Sequence, residues 1–139
     1  MSAAFVIDCS VAMTWLFEDE QTPQTVKLLG RLAEEPALVP DWWFLEVANV
    51  LAIAERKGRV TITQSAEFIA EMSKLAIEVD VDGPGRAFSD LLPLCRAHQL
   101  TSYDAVYLDL AVRRKLPLAT LDERLRKAAP KLGVKLLGR

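Results

Sequence analysis

Histidine and cysteine are nearly missing from this chain of 139 residues, which has one of the former and two of the latter. Two cysteines, Cys9 and Cys95, cannot make a disulfide framework, and their surroundings do not resemble a zinc site. A thiol nucleophile needs a base and an orienting group beside it, and neither cysteine has one in its neighbourhood of sequence. His98 falls late in a helical pattern and reads as a helix-end group rather than a ligand. The simplest setting for so few thiols is a reduced, cytoplasmic one. Long hydrophobic runs are missing too. No stretch approaches the roughly 18 apolar residues of a membrane span, and the N-terminus lacks the basic start and apolar core of a signal peptide. No membrane partner is therefore expected. Repeats, linkers and low-complexity segments are absent, and the length fits one domain over residues 1–139.

What the chain does contain is ordinary globular material, half apolar and a quarter charged, arranged in a recurring order. Ala3 to Asp8 is a short apolar run, β-branched in its middle, that stops at a carboxylate. Runs of this length bounded by polar residues predict buried strands. Similar runs recur at 37–39, 76–79, 117–120 and 134–137. Helical patterns lie between them. Thr22-Pro23 starts one, with Val26, Leu29 and Leu32 on its predicted inner side. Asp41 is the predicted cap of another, Trp42 to Lys57, closed by Gly58. That helix is apolar nearly all round, which predicts burial. Thr61 or Thr63 starts the next, with Phe68, Ile69, Met72 and Leu75 inside. A turn at 82–85 leads to a helix reaching His98, with a bend expected at Pro93. Thr101-Ser102 opens a helix from Tyr103 to Lys115 with Val106, Tyr107, Leu110 and Ala111 inward, and Asp122 opens a last short one. Alternating strands and helices predict an α/β fold, a parallel sheet with helices on both faces.

Charge is unevenly spread. Residues 1–112 hold 8 basic and 17 acidic groups, and residues 113–139 hold 9 basic and 2 acidic ones. An acidic body with a basic end segment is compatible with a polyanion partner, and equally with a solvated, salt-bridged surface.

Among the acids, Asp8 and Asp122 follow predicted strands, and Asp104 lies in the first turn of a helix. All three map to the carboxyl ends of the sheet, where open α/β folds place their ligands. Glu46 is placed differently, inside the most apolar helix, with Asn49 on the same face at i+3. Each has a plainer use. Asp8 and Asp122 suit N-caps, Asp104 completes a Thr-x-x-Asp capping box with Thr101, and Glu46 could pair with an Arg or an indole N–H. Caps do not account for Glu46, because a buried, unpaired carboxylate costs several kcal/mol. Nor do they explain acids gathered at one rim without a basic neighbour. A hard divalent cation, Mg²⁺ or Mn²⁺, relieves such repulsion through oxygen ligands. Such a site can activate water and clamp both oxygens of a phosphodiester displacement. Arg113, Arg114, Lys115, Arg124 and Lys127 are candidates for steering the nucleic-acid backbone.

Four segments carry a family resemblance: Val6-Ile7-Asp8-Cys9-Ser10-Val11, Trp43-Phe44-Leu45-Glu46-Val47-Ala48-Asn49-Val50-Leu51, Ser102-Tyr103-Asp104-Ala105-Val106-Tyr107-Leu108 and Ala119-Thr120-Leu121-Asp122-Glu123-Arg124-Leu125. In this order, over nearly the whole chain, they resemble a PIN-domain ribonuclease of the VapC type, the toxin half of a toxin–antitoxin pair. The resemblance implies a five-stranded parallel sheet of order 3-2-1-4-5. It implies catalytic and metal-binding roles for Asp8, Glu46, Asp104 and Asp122, supported by Ser10, Asn49 and Thr120. It further implies Mg²⁺- or Mn²⁺-dependent cutting of RNA to a 3′-hydroxyl and a 5′-phosphate. A homodimer and a cognate antitoxin, reaching the acidic groove with a basic side chain, are implied as well. Residues 58–98 carry none of these motifs. Other readings are a PIN nuclease of RNA processing, a catalytically idle protein-binding module, and a phospho-aspartate α/β protein. The last wants a second acid close to Asp8 or an acid pair after the first strand, and Ser10 stands where one would be.

Overall fold

The computed structural model describes residues 2–139. Its centre is β1 (Phe5–Ile7), every residue of which is buried. β2 (Ala37–Pro40) and β4 (Leu118–Ala119) flank it, β3 (Ile77–Asp80) and β5 (Leu136–Leu137) form the edges, and the order is β3-β2-β1-β4-β5. Every pairing is parallel, as the β-helix-β alternation of the sequence requires. The predicted strand order is the observed one. The pairing of Ile7 with Ala119 sets Asp8 beside Thr120 just past the ends of two strands, so register alone brings together residues 112 positions apart.

Seven α-helices connect the strands: α1 (Cys9–Thr14), α2 (Pro23–Arg31), α3 (Trp42–Arg56), α4 (Ile62–Met72), α5 (Leu92–His98), α6 (Ser102–Arg114) and α7 (Glu123–Ala128). Their starts follow the polar signals in the sequence. Thr22 caps α2 with Pro23 in its first turn, Thr61 caps α4 in a box with Gln64, and Thr101 caps α6. Gly58 follows α3 with φ +70°, a conformation glycine adopts without strain. The core is one continuous cluster, with Val6 and Ile7 of β1, Leu38 of β2, Leu118 of β4 and Leu108 and Leu110 of α6 fully enclosed.

Several expectations need correction. Asp41 does not cap α3: its backbone is already helical (φ −60°, ψ −26°) and its side chain accepts no capping bond. α3 is not buried all round. Trp43, Val47, Leu51 and Ala54 face the core, whereas Phe44 is 49% and Leu45 61% exposed. A helix on the outside of a sheet has only one stripe to bury, so the excess apolar residues of α3 are left facing outward. On α2 the buried residues are Thr25 and Leu28, not Val26. Ile69 of α4 is exposed as well. The segment before α5 is not a bent α-helix. Pro84–Arg86 form a 3-10 turn, Ala87–Leu91 a π turn, and α5 runs on directly from it through helical backbone at Leu91 and Leu92, with Pro93 as its second residue.

An ion-pair network locks α6 against the β3 side of the fold. Asp109, buried on α6, accepts two bonds from Arg86 (2.8 and 2.9 Å) and one from Arg113 (3.1 Å). Arg113 also reaches the buried Asp80 at the end of β3 (3.1 Å). A carboxylate that deep is costly unless it is paired or its oxygens are hydrogen-bonded. Asp109→Ala should therefore lower unfolding stability by about 3 kcal/mol or more, read from urea or thermal melts. The double variant Asp109→Ala with Arg113→Ala should cost less than the two single losses added, because the partners interact directly.

Candidate active site

The end of β1 is where the hydrogen bonds converge. Asp8 is buried, 5% exposed, and both its oxygens are used. Oδ1 accepts from the Ser10 hydroxyl (2.6 Å) and the Val11 N–H (3.2 Å), and Oδ2 accepts from the Thr120 hydroxyl (2.5 Å). Each hydroxyl is in turn fixed by backbone of the β4–α7 connection. Leu121 N–H donates to Ser10 Oγ (2.9 Å), and Asp122 N–H donates to Thr120 Oγ1 (3.0 Å). Asp8 thus caps α1 and also ties the first strand to the fourth. Asp122 caps α7, accepting from Leu125 N–H (3.0 Å), which leaves Oδ2 outside that bond.

Glu46 is half-buried on α3 and accepts a hydrogen bond from the phenol of Tyr107, a core residue of α6. Tyr107 was legible in the sequence as an inward residue, but not as a partner for Glu46. The available signal was its own buried hydroxyl, which requires an acceptor. Asp104, half-buried in the first turn of α6, sits beside the exposed Tyr103, whose ring stacks on Trp42 at 4.5 Å. Asn49 is exposed on α3.

Asp8, Glu46 and Asp104 each feel the charge of a neighbouring carboxylate. Burial pushes Asp8 up to about 6 against the pull of its hydrogen bonds, and the Asp122 charge adds to the rise. Burial pushes Glu46 up to about 7; the Tyr107 bond opposes this, and the charges of Asp8, Asp104 and Asp122 reinforce it. Asp104 is raised by burial and by Asp122, with Arg124 pulling the other way. Cys9, next to Asp8, is pushed up to about 12 by burial and by Glu46 and Asp8, so it stays a neutral thiol and is no soft ligand. The donors at this rim are therefore oxygens, suited to a hard divalent ion. Among the described residues, no group of three or more His, Cys, Asp or Glu side chains stands ready to hold a metal ion. The acids share one field, while Asp8, Glu46 and Asp122 are each held by hydrogen-bond donors of their own.

The basic candidates separate. Arg113 is not available to steer a nucleic acid, because Asp80 and Asp109 engage its guanidinium. Arg114 approaches Asp80 (3.9 Å), and Lys115 is the left-handed cap of α6. These three lie about 14–16 Å along α6 from Asp104, at 1.5 Å per residue. Arg124 is the one whose charge acts on Asp104, and Lys127 follows it on α7.

With this geometry, comparison with known proteins gives the family. The chain belongs to the PIN-domain family, whose match spans residues 5–131. It is similar to Ribonuclease VapC3 of Pyrobaculum aerophilum, with 27% identity over 127 residues covering 91% of this chain and 95% of that protein. It also resembles the crystal structure of PAE2754 from Pyrobaculum aerophilum, with a TM-score of 0.69 and 20% identity over 96% of this chain and 98% of that one. At that identity the likeness speaks for the fold.

The raised acids carry a sign. A carboxyl held above its unfolded value binds its proton more tightly when folded, so it adds stability at low pH and loses it as pH rises. For Asp8 the loss runs from about 4 to about 6, and for Glu46 it continues to about 7. Asp80 is held below its ordinary value, because Arg113, the Asp82 N–H and Arg114 outweigh its burial, and its window lies lower. The metal-free protein should accordingly melt at lower temperature at pH 8 than at pH 5.5, and Glu46→Gln should flatten that slope in a pH series of thermal melts.

Proposed function

We propose that this protein is an Mg²⁺- or Mn²⁺-dependent endoribonuclease and the toxin of a toxin–antitoxin pair. The observation that carries the reading is the group of acids at the carboxyl rim of the sheet, with Asp8 and Glu46 pushed up by burial and by neighbouring carboxylate charge. Membership of the PIN family and similarity to a protein named Ribonuclease VapC3 support it. Asp8, Glu46, Asp104 and Asp122 would hold the ion, and their oxygen-only chemistry fits it. A bound divalent ion supplies Lewis-acid activation of water and neutralisation of charge at a phosphodiester.

The chain's own residues prepare that chemistry. Ser10 and Thr120 fix the Asp8 carboxylate in rotation, and Tyr107 does the same for Glu46. Such supporting bonds hold ligands in place and tune their basicity. Arg124 offsets part of the charge at Asp104 and offers a contact for a substrate phosphate. Thr120 O accepts from Arg126 (2.7 Å), which steadies the β4–α7 connection.

The exposed apolar residues support protein partners. Leu45, 61% exposed, borders a largely apolar groove with Trp42, Pro84, Ala87 and Tyr103, and Phe88, next to Ala87 in sequence, is 89% exposed; apolar residues grouped in this way suit a protein contact. A homodimer and an antitoxin are the partners proposed, in a cytoplasmic setting; no helix among the described residues is long and apolar enough to cross a membrane. An idle binding module would leave Glu46, which caps no helix, without a reason to stand half-buried against the charges of Asp8, Asp104 and Asp122. A phospho-acceptor is disfavoured by Ser10 bonded to Asp8 and by Asp80 paired with Arg113.

Incubated with single-stranded RNA, the purified protein should cut in Mg²⁺ or Mn²⁺ and stop in EDTA. Asp8→Asn should cut roughly a hundredfold more slowly or worse; equal cutting by this variant would place the activity elsewhere. Light scattering on a sizing column should give twice the 15.5 kDa chain mass, and a monomer at micromolar concentration would remove the dimer.

A further inference from the structure

A concave site lies close to the acidic rim. A cleft of about 460 Å³ opens between the C-terminal end of α5 and the outer side of α7. Its polar lining is His98, Gln99, Arg124, Lys127 and Lys131, and no carboxylate lines it. The three cations fall at i, i+3 and i+7, so α7 and the 3-10 turn after it present them on one side. At 1.5 Å per residue they span about 10 Å. Arg124, Lys127 and Lys131 are all exposed. The acid closest to them in sequence, Glu123, is engaged by Arg139 at 2.6 Å, so nothing on α7 neutralises the row. In a chain of net charge −2, this is a concentrated positive surface.

Its position gives the row a direction. α7 starts at Asp122, and Arg124 acts electrostatically on Asp104. The basic row therefore begins at the acids and leads away from them. An RNA strand crossing the acidic rim places one phosphate among carboxylates and the next ones beyond, and those need cations. An extended polyanion fits a row that starts at a catalytic rim better than an isolated anion would.

We propose that this cleft seats backbone phosphates of the RNA strand on one side of the cleaved bond, with Arg124, Lys127 and Lys131 as contacts and His98 and Gln99 as polar neighbours. The inference rests on the nuclease reading for the identity of the ligand. It replaces Arg113, which is locked in the fold, with Lys131 as the distal contact.

The test measures binding apart from cutting. A fluorescein-labelled single-stranded RNA of about 12 nucleotides, within the site sizes single-strand binders show, is titrated with the full chain in EDTA, and with Asp8→Asn protein, across a salt series. The expected result is that Lys127→Gln with Lys131→Gln lowers the slope of log affinity against log salt by about 1.4, at 0.7 per lost phosphate contact. Lys27→Gln with Lys57→Gln removes the same charge from exposed positions elsewhere and should leave the slope nearly unchanged. Equal slope losses in the two double variants would overturn the cleft, leaving only a net-charge effect. Stronger competition by polyglutamate than by unlabelled RNA would also overturn it, in favour of an acidic protein partner. Cleavage by the wild-type protein in Mg²⁺ is scored separately. Cutting with an unmoved slope sinks the cleft alone, whereas no cutting and no binding sinks both readings.

Discussion

The Asp8 carboxylate is the point on which the rest of the structure depends. It stands at the end of the central strand, in a place where burial opposes its charge, and it is kept there by two hydroxyls and a backbone N–H. Those hydroxyls belong to segments on either side of it. Ser10 lies in the first turn of α1, and Thr120 begins the connection that leaves β4. One ionisable group thus fastens the first and last thirds of the chain together. The arrangement is costly for a fold in isolation, since a neutral core residue would pack there without a desolvation penalty. Its persistence is intelligible if the same oxygens are needed for chemistry, as local departures from optimal stability concentrate at functional sites.

Tyr107 extends this logic into the core. Its ring is fully enclosed among the residues of α6 that pack on the sheet, while its hydroxyl reaches Glu46 on a different helix. The position of a site acid is therefore set by the packing of α6, and α6 is itself fixed by Asp109, Arg86 and Arg113. The charges that hold the fold and those of the candidate site form separate groups. One set is paired, carboxylate to guanidinium, along the middle and end of α6. The other gathers carboxylates with no guanidinium bonded to them.

Much of this was legible in the sequence, for identifiable reasons. Strands were found because short β-branched runs stop at polar residues, and Thr22, Thr61 and Thr101 marked helix starts because capping is a local interaction between a side chain and the next turn. Asp8 beside Thr120 became visible once the strand order was known. What the sequence hid were facts of three-dimensional neighbourhood. Asp41 resembled a cap, but the helix begins before its side chain can serve as one. The uniformly apolar α3 gave no sign of which side would meet solvent, since amphipathicity is the usual guide and α3 has little. Arg113 looked like a free cation because Asp80 lies on a separate element and Asp109 is itself buried. Lys131 was passed over because its alignment with Arg124 and Lys127 emerges only when α7 and the turn after it are seen as one surface.

The π turn at Ala87–Leu91 has a consequence for how this region can vary. Such a turn fits an additional residue into a helical coil, so the chain leaves it rotated relative to the direction in which it entered. Arg86, before it, is oriented to meet Asp109, and Leu91, at its end, is buried in the core. Both seats are filled only because of the added residue. Shortening the segment by one would make a more regular coil but swing one of the two away by about 100°. The irregularity is a spacer whose length is fixed by what stands at either side of it.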